Sequence, residues 1–129
     1  MNSVKCKTFN AQITIGLFRG YSNKSISVPE FKKALLKAQE NIKIQCKIKL
    51  SAKLTMCEIL FLGQEEPSVD LQFIQYPKFP QEESALKKAI VELTEQLMAE
   101  LEQNRVVIVF ADETIMLERS NAIDPKIQL

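Results

Sequence analysis

Five apolar residues in succession occupy positions 106–110, and this run constrains the fold more than any other stretch of the chain. It contains only Val, Ile and Phe, which are residue types that favour strands. Because polar residues do not alternate with the apolar ones, the run predicts a strand that is covered on both faces. The pair Asp112-Glu113 follows closely and predicts a tight turn, after which Thr114–Glu118 returns as another strand.

Two other stretches carry helical periodicity. Ser27 and Glu30 match the pattern of a capping box. In such a box the hydroxyl of Ser27 accepts a hydrogen bond from the amide of residue 30, and the Glu30 side chain accepts one from the amide of Ser27. This box predicts a helix over residues 28–41. Acidic residues followed by a leucine stripe predict a second helix over residues 81–103. The two apolar stripes are Phe31, Leu35, Ala38 and Ile42, and then Leu86, Ile90, Leu93, Leu97 and Leu101.

Alternation of apolar and polar residues predicts the remaining strands. Residues 4–8 and 12–18 alternate and predict the first strand. Residues 44–54 alternate most regularly and predict a half-buried strand with lysines on its outer face. Residues 56–62 are apolar at both parities, which is consistent with a bulge, a bend or the start of a second strand. Residues 69–76 are then predicted to return antiparallel.

The predicted order is strand, helix, strand, strand, helix, strand. This order resembles the ferredoxin-like split βαββαβ sandwich, an α+β fold with a mainly antiparallel sheet and two helices on one face. An extra C-terminal strand follows if Thr114–Glu118 folds back. Residues 1–119 are predicted to form a single domain and residues 120–129 a C-terminal tail. Many unrelated activities use this topology, so it predicts no function by itself.

The absence of histidine from the sequence excludes several chemistries. Ser-His-Asp and Cys-His nucleophile pairs, histidine acid/base catalysis and histidine-containing zinc sites are all ruled out. The three cysteines, Cys6, Cys46 and Cys57, are widely spaced and form no Cys-x-x-Cys pair. We therefore expect no metal and no cofactor. No stretch resembles a membrane span or a secretory signal, so a cytoplasmic location without membrane partners is predicted.

Charge is distributed unevenly along the chain. Residues 1–53 carry eleven basic and two acidic side chains, and the remaining residues carry six basic and fourteen acidic ones. The candidate basic surface is formed by Lys32, Lys33, Lys37, Lys43, Lys47, Lys49 and Lys53. Such a surface can bind nucleic-acid phosphates, but it lacks the Arg and aromatic residues that usually accompany them. Protection of an edge strand from unwanted pairing is the favoured explanation of these lysines.

A small-molecule or anion-binding enzyme without histidine chemistry is one alternative function. Its candidate ligand-binding residues are Arg19, Tyr21 and Glu58. Arg19 and Tyr21 lie where the first strand leads towards the first helix, and Glu58 is a carboxylate within an apolar strand. No residue is assigned a catalytic role. The acidic pairs at 65–66 and 112–113 lie where turns require polar residues, so they are interpreted as turn residues.

The leading prediction is a small non-enzymatic interaction or regulatory module that self-associates through its sheet. Two helices cover only one face of such a sheet, whereas residues 59–62 and 106–110 are apolar at both parities. A second subunit is the simplest cover for the other face. We therefore expect a homo-oligomer, with a dimer favoured. Its predicted interface contains Val107, Val109, Ile115 and Leu117. Nucleic-acid binding through the lysine surface remains a further alternative.

Overall fold

Five strands and two helices follow one another along residues 1–127, the part of the chain that the computed structural model describes. All strands pair antiparallel, in the spatial order β2-β3-β1-β4-β5. The first four strands have the ferredoxin-like order, and β5 adds an edge strand beyond β4, which confirms the predicted fold class. The elements are β1 Asn10–Gly16, α1 Val28–Cys46, β2 Lys53–Phe61, β3 Gln64–Ile74, α2 Glu83–Glu100, β4 Arg105–Phe110 and β5 Thr114–Glu118.

Helix α1 begins where the sequence predicts but ends later. The amide of Glu30 donates to the Ser27 hydroxyl over 3.2 Å, and the helix ends at Lys47, whose φ of 60° is left-handed. The predicted strand over residues 44–54 is therefore wrong in its first part. Ile42 and Cys46 lie one helical turn apart and both pack towards the interior, so the same residues also fit a helical period.

The core lies between the two helices and one face of the sheet. Ala11, Ile13 and Ile15 of β1 point to this helix-covered face, and their register partners on β3 are Phe73, Leu71 and Val69. Burying each large apolar side chain contributes about 1.5–3 kcal/mol, so these central strands anchor the fold. The helices contribute Phe31, Ala34, Leu35, Ala38 and Ile42 from α1, and Leu86, Ala89, Ile90, Leu93, Leu97 and Met98 from α2.

The other side of the sheet, called here the open face, has no helix over it. Val107 and Val109 of β4 lie on this face and remain 41% and 44% exposed. Within the described chain β4 is therefore covered on one face only, and the cover of its other face by a second subunit stays a prediction. Ile115 and Leu117 of β5 point the other way and pack against the core. The four residues of the predicted interface are thus divided between the two faces.

The β2–β3 hairpin settles how residues 55–62 are arranged. Residues 53–61 form one strand, and the chain turns at Leu62 and Gly63, whose φ angles of 46° and 85° are both positive. Positive φ at two successive residues is typical of the tight turns that join antiparallel strands. Residues 1–9 form no strand, so the first part of the predicted N-terminal strand is wrong.

Beyond β5, residues 120–127 have no regular secondary structure, and the predicted tail beyond residue 127 lies outside the described residues. Neither α1 nor α2 combines the length and the apolar character that a helix needs to span a bilayer, and no other helix with both properties occurs within residues 1–127.

Candidate functional site

Polar side chains occupy the centre of the open face. They come from neighbouring strands and form what we call the polar row: Gln12 and Thr14 of β1 with Glu66, Ser68 and Asp70 of β3. Alternation along each strand places these residues on the face opposite the core, and Ser68 is itself buried there. The row therefore follows directly from the sheet register, in which Thr14 is paired with Asp70.

Asp70 is the best-defined member of the row. Gln12 Nε2 donates to its Oδ1 over 2.9 Å, and Thr14 Oγ1 donates to the same oxygen over 3.0 Å. Within residues 1–127 no hydrogen bond or ion pair engages Oδ2. A half-buried carboxylate that is fixed on one oxygen and open on the other is suited to binding a cationic group of a ligand.

Glu66 lies at the other end of the row. Although much of this residue is exposed, its carboxylate rests on Gly16, and a Cβ built on Gly16 would overlap with Oε1 of Glu66. Burial raises the pKa of the Glu66 carboxyl, and the negative charge of Asp124 adds to the rise, whereas Lys126 opposes it. Glycine at position 16 thus leaves the space in which this carboxylate sits.

Residues 120–127 run along the end of the sheet where Glu66 lies. Arg105 Nε donates to Oε2 of Glu118 over 2.5 Å, and Arg105 Nη1 donates to the carbonyl oxygen of Ala122 over 2.6 Å. Further along, Gln64 Nε2 donates to the carbonyl oxygen of Lys126, also over 2.6 Å. The segment therefore crosses from β5 to the start of β3 and brings Asp124 and Lys126 close to Glu66.

The structure does not bring the predicted ligand-binding residues together. Arg19 forms an ion pair with Glu30 over 3.3 Å and donates to the carbonyl oxygen of Glu100 over 3.1 Å. The hydroxyl of Tyr21 accepts from Arg105 and belongs to the network that holds residues 120–127. Glu58 is exposed on β2, on the side of the hairpin opposite the polar row. The predicted pocket of Arg19, Tyr21 and Glu58 therefore has no geometric support.

Sequence reasoning missed Asp70, although a signal for it was present. Asp70 is the charged residue among the polar positions of the alternation from Val69 to Phe73, and its position on the sheet is opposite in parity to those buried residues. The convergence of Gln12 and Thr14 on Asp70 depends on strand pairing across 58 and 56 sequence positions. A single sequence does not specify that pairing residue by residue.

The predicted basic surface is dispersed. Lys32, Lys33, Lys37 and Lys43 are exposed on α1, whereas Lys47 ends that helix and Lys49 lies in the following loop. Only Lys53 lies on the edge strand β2. The predicted lysine stripe on one strand is therefore absent from the described structure, and Lys37 is already paired with Glu100 over 3.5 Å.

Two shallow depressions lie away from the polar row. One depression of about 200 Å³ is lined by α2 and the end of β5, and another of about 370 Å³ lies between α1 and α2. No group of three or more Cys, Asp or Glu residues within residues 1–127 is arranged to hold a metal ion. The polar row lines neither depression and lies on the sheet face that no helix covers.

No protein-family model matches this sequence, and no curated protein matches it significantly. Solved structures do match. Phage SAM lyase in its apo state superimposes with a TM-score of 0.68 and 16% identity, over 89% of this chain and 91% of that chain. The chain shares its fold with this lyase. Phage SAM lyase in complex with S-methyl-5'-thioadenosine gives a TM-score of 0.64 at 16% identity, over 95% of this chain and 98% of that chain.

These matches overturn the leading prediction from the sequence. A non-enzymatic interaction module is wrong as the main interpretation, because the architecture found over nearly the whole chain is that of an enzyme that acts on a small molecule. The alternative of a small-molecule enzyme without histidine chemistry agrees better with the comparison. At 16% identity the likeness demonstrates the fold alone, so the reaction is a separate question.

Proposed function

We propose that this chain is a lyase that cleaves S-adenosylmethionine, or a closely related sulfonium compound, and releases S-methyl-5'-thioadenosine. The observation that carries the proposal is the architecture shared with phage SAM lyase over 89% of this chain. The open face supports it independently, because the Asp70 carboxylate, held by the neutral side chains of Gln12 and Thr14, suits a cationic substrate. A cytoplasmic location, where S-adenosylmethionine is made and three unpaired cysteines are stable, belongs to the same proposal.

The proposed reaction breaks the bond between the sulfonium sulfur and the four-carbon amino acid chain. The electron pair of that bond goes to sulfur, which leaves as a neutral thioether and needs no proton. The carboxylate of the same amino acid chain forms the new carbon–oxygen bond and closes a lactone. No water, external base or histidine takes part, which agrees with a chain that contains no histidine.

The polar row would act by positioning the substrate. Oδ2 of Asp70 is available to accept from the substrate ammonium group, while Gln12 and Thr14 hold Oδ1. Binding through the ammonium leaves the substrate carboxylate free to attack. Val109, the β4 partner of Gln12, provides an apolar border. Because the reaction neutralises a sulfonium and a carboxylate, a poorly solvating border favours the transition state over the charged substrate.

A second subunit is part of the proposal. A nucleoside-sized ligand is usually buried over most of its surface, whereas the polar row lies on a sheet face that no helix of the described chain covers. The open face also retains exposed apolar side chains beside the row. A homo-oligomer that covers this face would exclude water from the substrate.

The test is direct measurement of product. The purified chain is incubated with S-adenosylmethionine at neutral pH, and S-methyl-5'-thioadenosine and the lactone are quantified by liquid chromatography with mass spectrometry. We expect equimolar products at a rate proportional to protein concentration and well above that of a protein-free sample, since the substrate decomposes slowly by itself. A folded protein that neither forms these products nor binds S-methyl-5'-thioadenosine in calorimetry would refute the proposal.

A further inference from the structure

The loop that joins β3 to α2, residues 75–82, displays two aromatic rings to solvent. Tyr76 is 59% exposed and Phe79 is 66% exposed, and we call these two residues the aromatic pair. Their rings stack, with centroids 6.0 Å apart and planes inclined by 25°. The backbone amide of Phe79 donates to the carbonyl oxygen of Tyr76 over 3.0 Å, so one turn fixes the spacing of the rings. Exposed rings of this kind provide a large contact area for a planar ligand.

The same loop is held in one conformation. Gln75 Nε2 donates to the carbonyl oxygen of Gln81 over 2.8 Å, and the backbone amide of Gln81 donates to Gln75 Oε1 over 2.9 Å. The amide of Gln75 also donates to the carbonyl oxygen of Phe9 over 3.4 Å. Pro77 and Pro80 restrict the backbone between these contacts. Because the loop is already ordered, a ligand that binds the aromatic pair loses little free energy in ordering it.

Lysines lie around the aromatic pair. Lys78 stands between the two rings in the sequence, and Lys53 begins β2 beside β3, with Gln72 as its register partner. Lys49 lies in the exposed segment that leads into β2. Within residues 1–127 no ion pair engages any of these three lysines. Their charges are therefore available to an anionic ligand.

Most acidic side chains at this end of the sheet are already neutralised by other lysines. Glu83 at the start of α2 forms an ion pair with Lys7 over 3.7 Å. The acidic residues 112–113 in the β4–β5 turn engage Lys87. Glu82 is the acidic residue next to the loop that has no ion pair within residues 1–127. The surroundings of the aromatic pair thus keep an excess of positive charge.

We propose that the aromatic pair, together with Lys49, Lys53 and Lys78, binds single-stranded nucleic acid. Bases stack on the two rings, and the lysines contact the phosphates on either side. Stacking aromatic residues within a basic surface are the combination that single-strand-binding proteins use. The lysines of α1 have no such aromatic residues beside them. Paired bases in a duplex are already stacked on one another, so a duplex presents no free base to the rings.

This site is distinct from the polar row and does not rest on the proposed lyase reaction. Strand β3 continues four residues beyond Asp70, to Ile74, before the loop begins. At roughly 3.3 Å per residue, the strand carries the loop about 13 Å away from Asp70. Nucleic-acid binding is measured without S-adenosylmethionine, so either proposal can fail while the other holds.

Fluorescence anisotropy of a labelled single-stranded oligothymidylate of about 12 nucleotides, at low salt, tests the site. The natural chain should bind it saturably. Changing both rings, Tyr76→Ala with Phe79→Ala, should weaken binding about 30-fold or more, because the loss of each stacked base is costly. Exchanging the rings, Tyr76→Phe with Phe79→Tyr, should restore binding. Ile44→Gln, which removes an exposed apolar side chain from α1, is the matched control and should bind like the natural chain.

Two further measurements separate base stacking from simple charge attraction. An abasic oligomer of the same length carries the same phosphates without bases, and it should bind about tenfold more weakly or worse. Lys53→Gln and Lys78→Gln should each reduce the slope of log affinity against log salt concentration by about 0.7. Lys32→Gln, which removes an exposed lysine from α1, should leave this slope unchanged.

Several outcomes would overturn the proposal. The absence of any anisotropy change at low salt refutes nucleic-acid binding. Equal binding of the abasic oligomer, or unchanged binding by the double alanine variant, refutes stacking on the aromatic pair. A proline-rich peptide that binds through the two rings, when the oligonucleotide does not bind, would assign the loop to a protein partner instead. Because both rings are exposed, their replacement should leave the core intact, and circular dichroism of each variant verifies this.

Discussion

The two faces of β4 carry nearly the same residue types but have different surroundings. Val106, Ile108 and Phe110 are buried under α2, whereas Val107 and Val109 face away from the helices and remain partly exposed. Val106 is 2% exposed and its neighbour Val107 is 41% exposed, although the side chains are identical. Hydrophobicity along a strand thus indicates which residues can be buried, but the layers packed on the sheet decide which of them are.

The open face differs from the covered face in a second way. The covered face is apolar throughout its centre, while the centre of the open face contains Asp70 with its two hydrogen-bond donors. The Asp70 carboxylate, held by two donors beside exposed valines, is suited to a cationic ligand. The contrast separates a surface that stabilises the chain from one that is available for function, and it can be tested residue by residue.

The largest expected effect comes from placing a charge on each side of β4. Val106→Asp would bury an unpaired carboxylate and should destabilise the fold by about 4 kcal/mol or more, which is enough to unfold many small domains. Val107→Asp should leave the chain folded, because its side chain reaches solvent. Thermal unfolding followed by circular dichroism compares the two. Equal losses of stability would mean that the open face belongs to the core of the folded chain.

The next largest effect concerns the polar row. Asp70→Asn keeps the size of the side chain and an oxygen for Gln12 but removes the negative charge. If Asp70 binds the substrate ammonium, kcat/KM for S-adenosylmethionine should fall about 100-fold, which corresponds to roughly 2.7 kcal/mol. Initial rates of S-methyl-5'-thioadenosine formation measure this. Glu58→Gln provides the matched control, since Glu58 is exposed on the other side of the hairpin, and its rate should not change.

A smaller effect is expected at the end of the row. Gly16→Ala should displace the Glu66 carboxylate without disturbing the core, because the added methyl group meets the flexible end of that side chain. We expect a loss of activity of about tenfold with little change in unfolding temperature, and a loss of similar size for Glu66→Gln. If Gly16→Ala retains full activity while Glu66→Gln does not, the position of Glu66 over Gly16 is irrelevant to its role.

The smallest effect is a shift in pH dependence. Asp124 raises the pKa of the Glu66 carboxyl and Lys126 lowers it, after the larger contribution of burial. If Glu66 contributes to binding the cationic substrate, it does so only when ionised, so activity should decline as pH falls through its pKa. Asp124→Asn lowers that pKa and should extend activity to lower pH, whereas Lys126→Gln should move the decline to higher pH. Profiles of kcat/KM from pH 4 to 8 measure both, and shifts in the same direction would contradict this electrostatic coupling.

Local patterns were sufficient for much of the fold. The capping residue Ser27, the leucine stripe of α2 and the run at 106–110 each act over a few neighbours, and the structure confirms the elements that they predict. One error lies at residues 44–46, where helical and strand periods overlap. Helix packing through Ile42 resolved it in favour of the helix. Boundaries of this kind depend on contacts with α2, which lies about 50 positions away in the sequence.

The candidate site was far less accessible to sequence reasoning. The position of Arg19 and Tyr21 in a loop predicts that they bind a ligand. In the structure Arg19 forms an ion pair with Glu30, and the Tyr21 hydroxyl accepts a hydrogen bond from Arg105. Asp70, Gln12 and Thr14 are individually ordinary polar residues of alternating strands. Only the register of β1 against β3 makes them a group.

The sequence by itself determined the order of strands and helices, the capping of α1 and the exclusion of histidine chemistry, because each depends on residue types or on short-range periodicity. The tertiary structure alone decided that Val107 stays exposed beside a buried Val106 and that Asp70 meets its hydrogen-bond partners. These outcomes depend on contacts between residues far apart in the sequence. Strand pairing sets which side chains meet, and an apolar side chain is buried only where another element packs on it.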